Sequence, residues 1–346
     1  MKKLGSLLLL AFVAALLLGA MYTLRWMKTP LGPPLDLVLP TPVQAGAPAV
    51  LAKTAAPLAQ APTATPPAKT NPKKTCGESG TIALLVSGLS MPEWRPVHGV
   101  GAVRLVKVDF DQKSVAVLNL PRALFVADTN QPQSPDTALT VVYRIARDAA
   151  KGNNPQEINR KATQDMAQVL VDDFGYVPDH YITVDPAQFV KMVDDLGGID
   201  ITLSTAVDGT ADHLGSFPAG AQHLDGEHAL ELLRILHPVG ESNPNVWQKF
   251  ERQRVVTWGL LAAMLKPENW SQLPQAAKDA RQMVVTDLSV NQVLDLLCMV
   301  QQAGDGTTFQ DPSSQIVNQV SDEEVRILNA AAVKTLIDAY SSDKKK

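Results

Sequence analysis

The spacing of apolar positions divides this chain into stretches that obey different physics. Lys2 and Lys3 precede an apolar run from Leu4 to Leu24, which stops ahead of Arg25 and Lys28. A run of that length spans about 30 Å as a helix, enough for the hydrocarbon core of a bilayer. It is longer than the apolar part of a cleaved leader, about 7–15 residues. Residues 1–28 are therefore expected to be an uncleaved signal anchor, with cleavage after Leu18-Gly19-Ala20 as the alternative. A two-lysine tail favours the N-terminus staying in the cytoplasm, which places the bulk of the chain outside a single-pass cytoplasmic membrane anchor. From Thr29 to about Lys74 no period is sustained. The stretch is Pro, Ala, Thr and Leu with few charges, and it predicts a disordered linker over 29–76.

Beyond Cys76 the periods become those of folded elements. Thr81-Ile-Ala-Leu-Leu-Val86 reads as a buried strand ending in a turn at Ser87-Gly88. Ala102–Val108 and Val115–Leu120, joined by the polar Asp109–Ser114, predict an antiparallel hairpin. Ala162, Met166, Val169 and Leu170 recur at helical spacing until Gly175. Phe189, Val193 and Leu196 repeat that pattern between Pro186 and Gly197-Gly198, and Ile199–Leu203 then reads as a strand. Ala229, Leu232, Leu233 and Leu236 form a further stripe closed by Pro238. A long helix is expected from about Asn245 to Leu265, and Ser289 is positioned to cap a helix carrying Val290, Leu294 and Leu297. Strands interspersed with helices over residues 77–340 predict one α/β domain with a mixed central sheet. Residues 341–346 form a lysine tail expected to be disordered.

Composition narrows the picture. The chain has 346 residues, 45% hydrophobic and 19% charged, and eleven of its 25 prolines fall between Pro30 and Pro72. A net charge of −4 argues against nucleic acid as a partner. Two cysteines exclude a disulfide-dense scaffold and a four-cysteine zinc module. Cys76 and Cys298 either pair across the domain or leave Cys298 as a free buried thiol, and the free thiol is the slightly favoured expectation.

Common catalytic signatures are absent, including Gly-x-x-x-x-Gly-Lys, Gly-x-Ser-x-Gly and His-Glu-x-x-His. His223 and His228 lie five apart, which suits no helical ligand pair, so surface or capping roles are expected. The basic residues say more. Arg122 follows Pro121 directly after a predicted strand. Arg234 sits beside the apolar stripe of its helix, and Lys249, Arg252 and Gln253 at i, i+3 and i+4 share one helix face. Converging arginine forks can hold a pyrophosphate, whereas each taken singly is more often a solvated face.

Several strings together resemble one family. Gly220-Ala-Gln-His-Leu-Asp-Gly-Glu-His-Ala-Leu230 is similar to its G-x-x-x-L-x-G-x-x-A-L segment, followed by Arg234 and then Lys249-x-x-Arg252-Gln253. Asp179–Asp200 resembles its strand–helix–strand stretch, and Leu118-Asn-Leu-Pro-Arg122 its S-I-P-R-D motif. The family is LytR–CpsA–Psr, also called the cell envelope-related transcriptional attenuator domain, and the motifs cover residues 80–264. The resemblance implies an α/β/α sandwich with an apolar pocket for a lipid tail, anchored outside the cytoplasmic membrane. It implies transfer of a glycopolymer from a polyprenyl-pyrophosphate carrier to peptidoglycan. Arg122 and Arg234 would be catalytic, and with Lys249, Arg252 and Gln253 would grip the pyrophosphate. Mg²⁺ or Mn²⁺ would be the cofactor of an active member.

The chain departs from the motifs at residues that bear on the metal. Gly101 and Ala123 stand where the family has aspartates, Thr140 where it has asparagine, Leu236 where it has a second arginine, and Val246 where it has aspartate. Neither Gly101 nor Ala123 offers the hard oxygen that Mg²⁺ prefers, so no metal ligand is assigned. Three readings stay open at this point. The domain is an active transferase with an unusual metal shell, a relative that binds a pyrophosphate lipid without turnover, or an exported interaction domain.

Overall fold

The computed structural model describes residues 25–39, 76–90, 99–126, 137–152, 154–240, 246–267, 269, 284–304, 307–312, 317–321, 324–327 and 330–341. The expected anchor lies outside these residues except for its last turn, as does the tail beyond Ser341. Among the described residues no helix is long and apolar enough to cross a membrane.

Three strands form the heart of the sheet: β1 (Thr81–Leu89), β2 (Val100–Asp109) and β3 (Ser114–Leu120). The hairpin read from alternation is present as β2–β3, in register from Val103–Leu120 to Asp109–Ser114. Its turn is closed by Asp109, whose Oδ1 accepts from the amides of Asp111 (3.0 Å) and Gln112 (2.7 Å). On the other side β4 (His180–Val184) runs parallel to β1, and β7 (Val284–Thr286) runs antiparallel to β4. β8 (Thr307–Gln310) closes the opposite edge parallel to β3. The order is β7-β4-β1-β2-β3-β8, a mixed sheet. β1 does not turn at Ser87-Gly88. With β2 and β4 on either side supplying ladder partners, this central strand continues to Leu89.

Period-two alternation sorts the strands' side chains onto two covered faces. Ala83, Leu85, Val103, Leu105, Leu118 and Leu120 pack under α1 (Leu139–Ala149), α2 (Pro155–Phe174) and the C-terminal α7 (Ala330–Asp338). Leu84, Val108, Val115 and Val117 pack under α6 (Val290–Ala303). α2 ends at Gly175 in the left-handed conformation (φ 72°), as its glycine predicts. α6 begins with a Ser289–Gln292 capping box.

A second core belongs to a smaller lobe. It comprises α3 (Pro186–Asp195), the antiparallel pair β5 (Ile199–Leu203) and β6 (Gly220–Leu224), α4 (Gly226–Arg234) and α5 (Val246–Leu265). α5 spans the long helix read from the sequence. It reaches the sheet through Trp258, whose ring lies 6.1 Å from that of Phe309 on β8.

Two further expectations fail. Cys76 and Cys298 form a disulfide with Cα atoms 5.6 Å apart, so Cys298 is not a free thiol. The pairing joins positions separated by 222 residues, a distance over which local pattern carries no signal. Residues 29–39 fall in the expected disordered linker, yet they are laid onto the domain. Pro30 bridges to Ser289, the Leu31 amide donates to the Leu288 carbonyl (2.9 Å), and the Tyr181 hydroxyl donates to the Pro33 carbonyl (3.0 Å). The Gln168 side chain bonds both the amide and the carbonyl of Val38 (2.8 and 2.9 Å). Prolines do not oppose this arrangement, because an edge segment can be held through its carbonyls.

Candidate functional site

Where the C-terminal end of β1 faces the smaller lobe, the structure encloses a cavity of about 330 Å³. Its character changes along α5. Lys249, Gln253, Val256 and Leu260 line it in succession, covering about 16 Å at the helical rise, from a cation through an amide to aliphatic side chains. α4 repeats the gradient, with Arg234 in its last turn and Leu233 and Leu230 behind it. Phe189 and Met192 of α3 complete the apolar wall. The arrangement suits an amphiphile with an anionic head and a hydrocarbon chain.

The sheet supplies the rest of the polar lining. Arg122 lies on the turn after β3, and its carbonyl accepts from the Thr140 amide at the start of α1 (3.0 Å). Thr140 Oγ1 also donates to the Val100 carbonyl (3.0 Å). One threonine thus ties the Arg122 turn to the first residue of β2. Beneath the floor runs a buried hydroxyl chain, Ser87–Thr183–Thr163, with 2.8 Å at each contact, ending on the Asn159 carbonyl.

Of the residues singled out from sequence, Arg122, Arg234, Lys249 and Gln253 line the cavity together. Arg252 does not. It is buried behind the wall, where its Nη2 donates to the Ile235 carbonyl (2.8 Å) and braces the turn after α4. Lys249 and Gln253 are 9% and 4% exposed, so this face of α5 is not a solvated one. The histidines take local roles. His228 bonds the α4 cap Asp225 (2.6 Å), and His223 bonds Asp200 (2.7 Å).

Arg104 is the lining cation that motif reading missed. It pairs across the hairpin with Asn119, and its Nε donates to Asn119 Oδ1 (3.0 Å) while Nη2 donates to Gln253 Oε1 (3.3 Å). Loss of hydration lowers its guanidinium to about 10, partly opposed by the charge of Asp311. Asp311 itself accepts from Asn119 Nδ2 (2.8 Å). Burial raises the Asp311 carboxyl above its ordinary range, against the lowering effect of that bond. The sequence did carry a signal: a charge in phase with Val106 and Val108 marks a position on the α6 side of the sheet.

Asp212 is the one carboxylate among the described lining residues, and it is already engaged. Its Oδ2 accepts from the amides of Leu236 (2.6 Å) and His237 (2.7 Å), and Oδ1 meets His237 Nδ1 (2.6 Å). Burial pushes its pKa up, but these bonds outweigh that and hold it below the usual value.

The donor set of the described lining residues does not fit a divalent ion. Gly101 lines the cavity at a bulge, where β1 pairing steps from Gly88–Ala102 to Leu89–Val100. A Cβ there would meet nothing nearer than 3.7 Å, so a larger residue has room but the present one has no ligand atom. Ala123 is buried and equally without oxygen in its side chain. Asp109 and Asp111 belong to the far end of the hairpin, and Asp128 lies outside the described residues. Among the described residues no group of three or more His, Cys, Asp or Glu could hold a metal.

A model of the LytR_cpsA_psr family matches residues 69–334. The cell wall biosynthesis protein LcpA of Corynebacterium glutamicum is 28% identical over 195 residues, 54% of this chain and 37% of that protein. The polyisoprenyl-teichoic acid–peptidoglycan teichoic acid transferase TagV of Bacillus subtilis is 24% identical over 197 residues, 56% of this chain and 46% of that one. The chain therefore spans less than half the length of these curated relatives. Crystallographic TagV shares the fold with a TM-score of 0.57 at 17% identity, covering 76% of this chain and 98% of that one. A LytR-Csp2A-Psr enzyme from Actinomyces oris does so at 0.56 and 22% identity, covering 78% and 91%. With the match extending from the residues before β1 to α7, the chain belongs to the LytR_cpsA_psr family.

Proposed function

We propose that this domain binds a polyprenyl-pyrophosphate-linked glycopolymer in its cavity and transfers the glycan to peptidoglycan outside the cytoplasmic membrane. The observation that carries the reading is the cavity's gradient, from Arg104, Arg122, Arg234 and Lys249 to an aliphatic wall. Family membership and the transferase name of TagV support the same substrate class. The Cys76–Cys298 disulfide supports an oxidising location.

In the transfer, a peptidoglycan hydroxyl oxygen attacks the glycan-side phosphorus and the bridging P–O bond breaks. The electron pair leaves with polyprenyl phosphate, which takes up the hydroxyl proton, and a phosphodiester remains. Bidentate arginine bonds to the phosphate oxygens would orient the group and stabilise charge on the leaving phosphate. The aliphatic wall would keep the lipid end in place.

A second reading, binding without turnover, is favoured by Gly101 and Ala123. Incubating the full chain with a polyprenyl-pyrophosphate-linked disaccharide and peptidoglycan separates the two. Transfer predicts polyprenyl phosphate and phosphodiester-linked glycan, both abolished by Arg122→Ala. Lipid bound with no phosphate released would establish the second reading and exclude the first.

A further inference from the structure

Arg104 stands where a charge is costly. Its face of the sheet holds Val86, Val106 and Val108, and α5 and α6 cover that face. Its two hydrogen bonds go to neutral amide oxygens, those of Asn119 and Gln253, rather than to a carboxylate. The nearby Asp311 spends its own bond on Asn119. Two amides thus hold the fork without a direct ion pair, and the side chain lines the cavity. A half-buried cation held in this way favours a bound anion.

Among the described residues, the same cavity lacks the oxygens a divalent ion needs. Gly101 lines it at the bulge, Ala123 follows Arg122, and Asp212 is already engaged by Leu236 and His237. A guanidinium can supply a full charge with two parallel N–H donors to phosphate oxygens and needs no protein carboxylates.

We propose that Arg104, acting with Arg122, Arg234 and Lys249, supplies the positive charge that a metal ion would otherwise bring, so that this chain binds an isoprenoid diphosphate without metal. The proposal rests on the cavity being the pyrophosphate site. At neutral pH the guanidinium remains charged, since even its lowered pKa lies near 10.

Binding of geranylgeranyl pyrophosphate to the full chain in detergent, followed by calorimetry in EDTA and in Mg²⁺, tests it. The two Kd values should agree within about twofold, well short of the roughly tenfold or more expected from one charge-assisted bond. Arg104→Met should weaken binding roughly 10–100-fold in EDTA, as for loss of a charge-assisted bond. Because methionine leaves Asn119 and Gln253 without their donor, Arg104→Gln serves as the second variant. It keeps an amide donor but no charge, and should lose affinity to a similar degree while melting as wild type does. Chelation that weakens the wild type more than about tenfold, or a folded Arg104→Gln that binds as wild type, would overturn the proposal. Absence of binding to wild type, with or without Mg²⁺ and for inorganic pyrophosphate as well, would instead sink the pocket reading and this inference with it.

Discussion

The sheet and the smaller lobe both present cations to the cavity, from structural elements of different kinds. On the sheet side Arg104 is fixed by two side-chain amides, and the Arg122 turn is pinned by the Thr140 amide. On the lobe side Arg234 lies in the last turn of α4, where the helix dipole favours a cation. Lys249 lies in the first turn of α5, where the dipole opposes one and the same amide ends attract an anion. The lobe also supplies the aliphatic wall, through Phe189, Met192, Leu230, Leu233, Val256 and Leu260. The lesson is a division of labour in which lining cations come from both regions, whereas the aliphatic lining comes chiefly from one. That division is testable, because the two contributions should respond to different variants and different ligands.

The largest expected effect should leave the cavity untouched. Cys76→Ala with Cys298→Ala removes a staple between Cys76, ahead of β1, and α6, in the core that also holds Met299 and Leu84. Loss of such a cross-link should cost about 2–5 kcal/mol in urea unfolding, with pyrophosphate binding unchanged once the protein is folded. If binding fell in parallel, the sheet and the lobe would not be separable as described. Next come the shared cations. Arg234→Ala and Arg122→Ala should each weaken geranylgeranyl pyrophosphate and inorganic pyrophosphate alike, by roughly 1.5–3 kcal/mol. A smaller effect with a sharper signature is expected at the wall. Leu233→Ser should cost about 1–2 kcal/mol of lipid binding through lost apolar contact and leave inorganic pyrophosphate as it was. Equal losses for both ligands would show that Leu233 supports the cation cluster rather than the chain.

The same two regions differ in how much of them could be read beforehand. Elements were legible wherever the signal was local. The β2–β3 hairpin announces itself by alternation, α2 by a stripe that stops at Gly175, and α6 by Ser289. Arg122, Arg234, Lys249 and Gln253 were legible as a set through the order of their motifs. Arg104 was legible only in part, because its phase with Val106 and Val108 gives its face, but only α5 and α6 folding back half-bury it. Arg252 shares a helix face with Lys249 in sequence, yet a small rotation about α5 is enough to direct it to Ile235 instead of the cavity. The docked residues 29–39 depend on Gln164 and Gln168, which read as ordinary helix-surface glutamines until a chain lies across them. Proline content described the segment's lack of helix correctly and was silent about its partner.

Asp212 offers the finest cut between the two regions, since it lines the cavity but bonds only within the lobe. Burial raises its pKa and the Leu236 and His237 bonds lower it further, so the folded value lies below the 3.8 of an unperturbed carboxyl. A depressed acid stabilises the fold above its unfolded pKa, and that contribution disappears as pH falls through the folded one. Asp212→Asn should therefore reduce stability by less than about 1 kcal/mol near neutrality, the scale for a partly exposed charged contact. The gap between wild type and variant should close as the pH drops below about 4, near the ordinary carboxylate range, which thermal melts at stepped pH would record. Pyrophosphate binding should, if anything, tighten slightly at pH 7, because removing the cavity's carboxylate raises its net positive charge. A loss of binding instead would mean that Asp212 positions Arg234 through the Leu236–His237 turn, coupling that carboxylate to the lobe's contribution to the site.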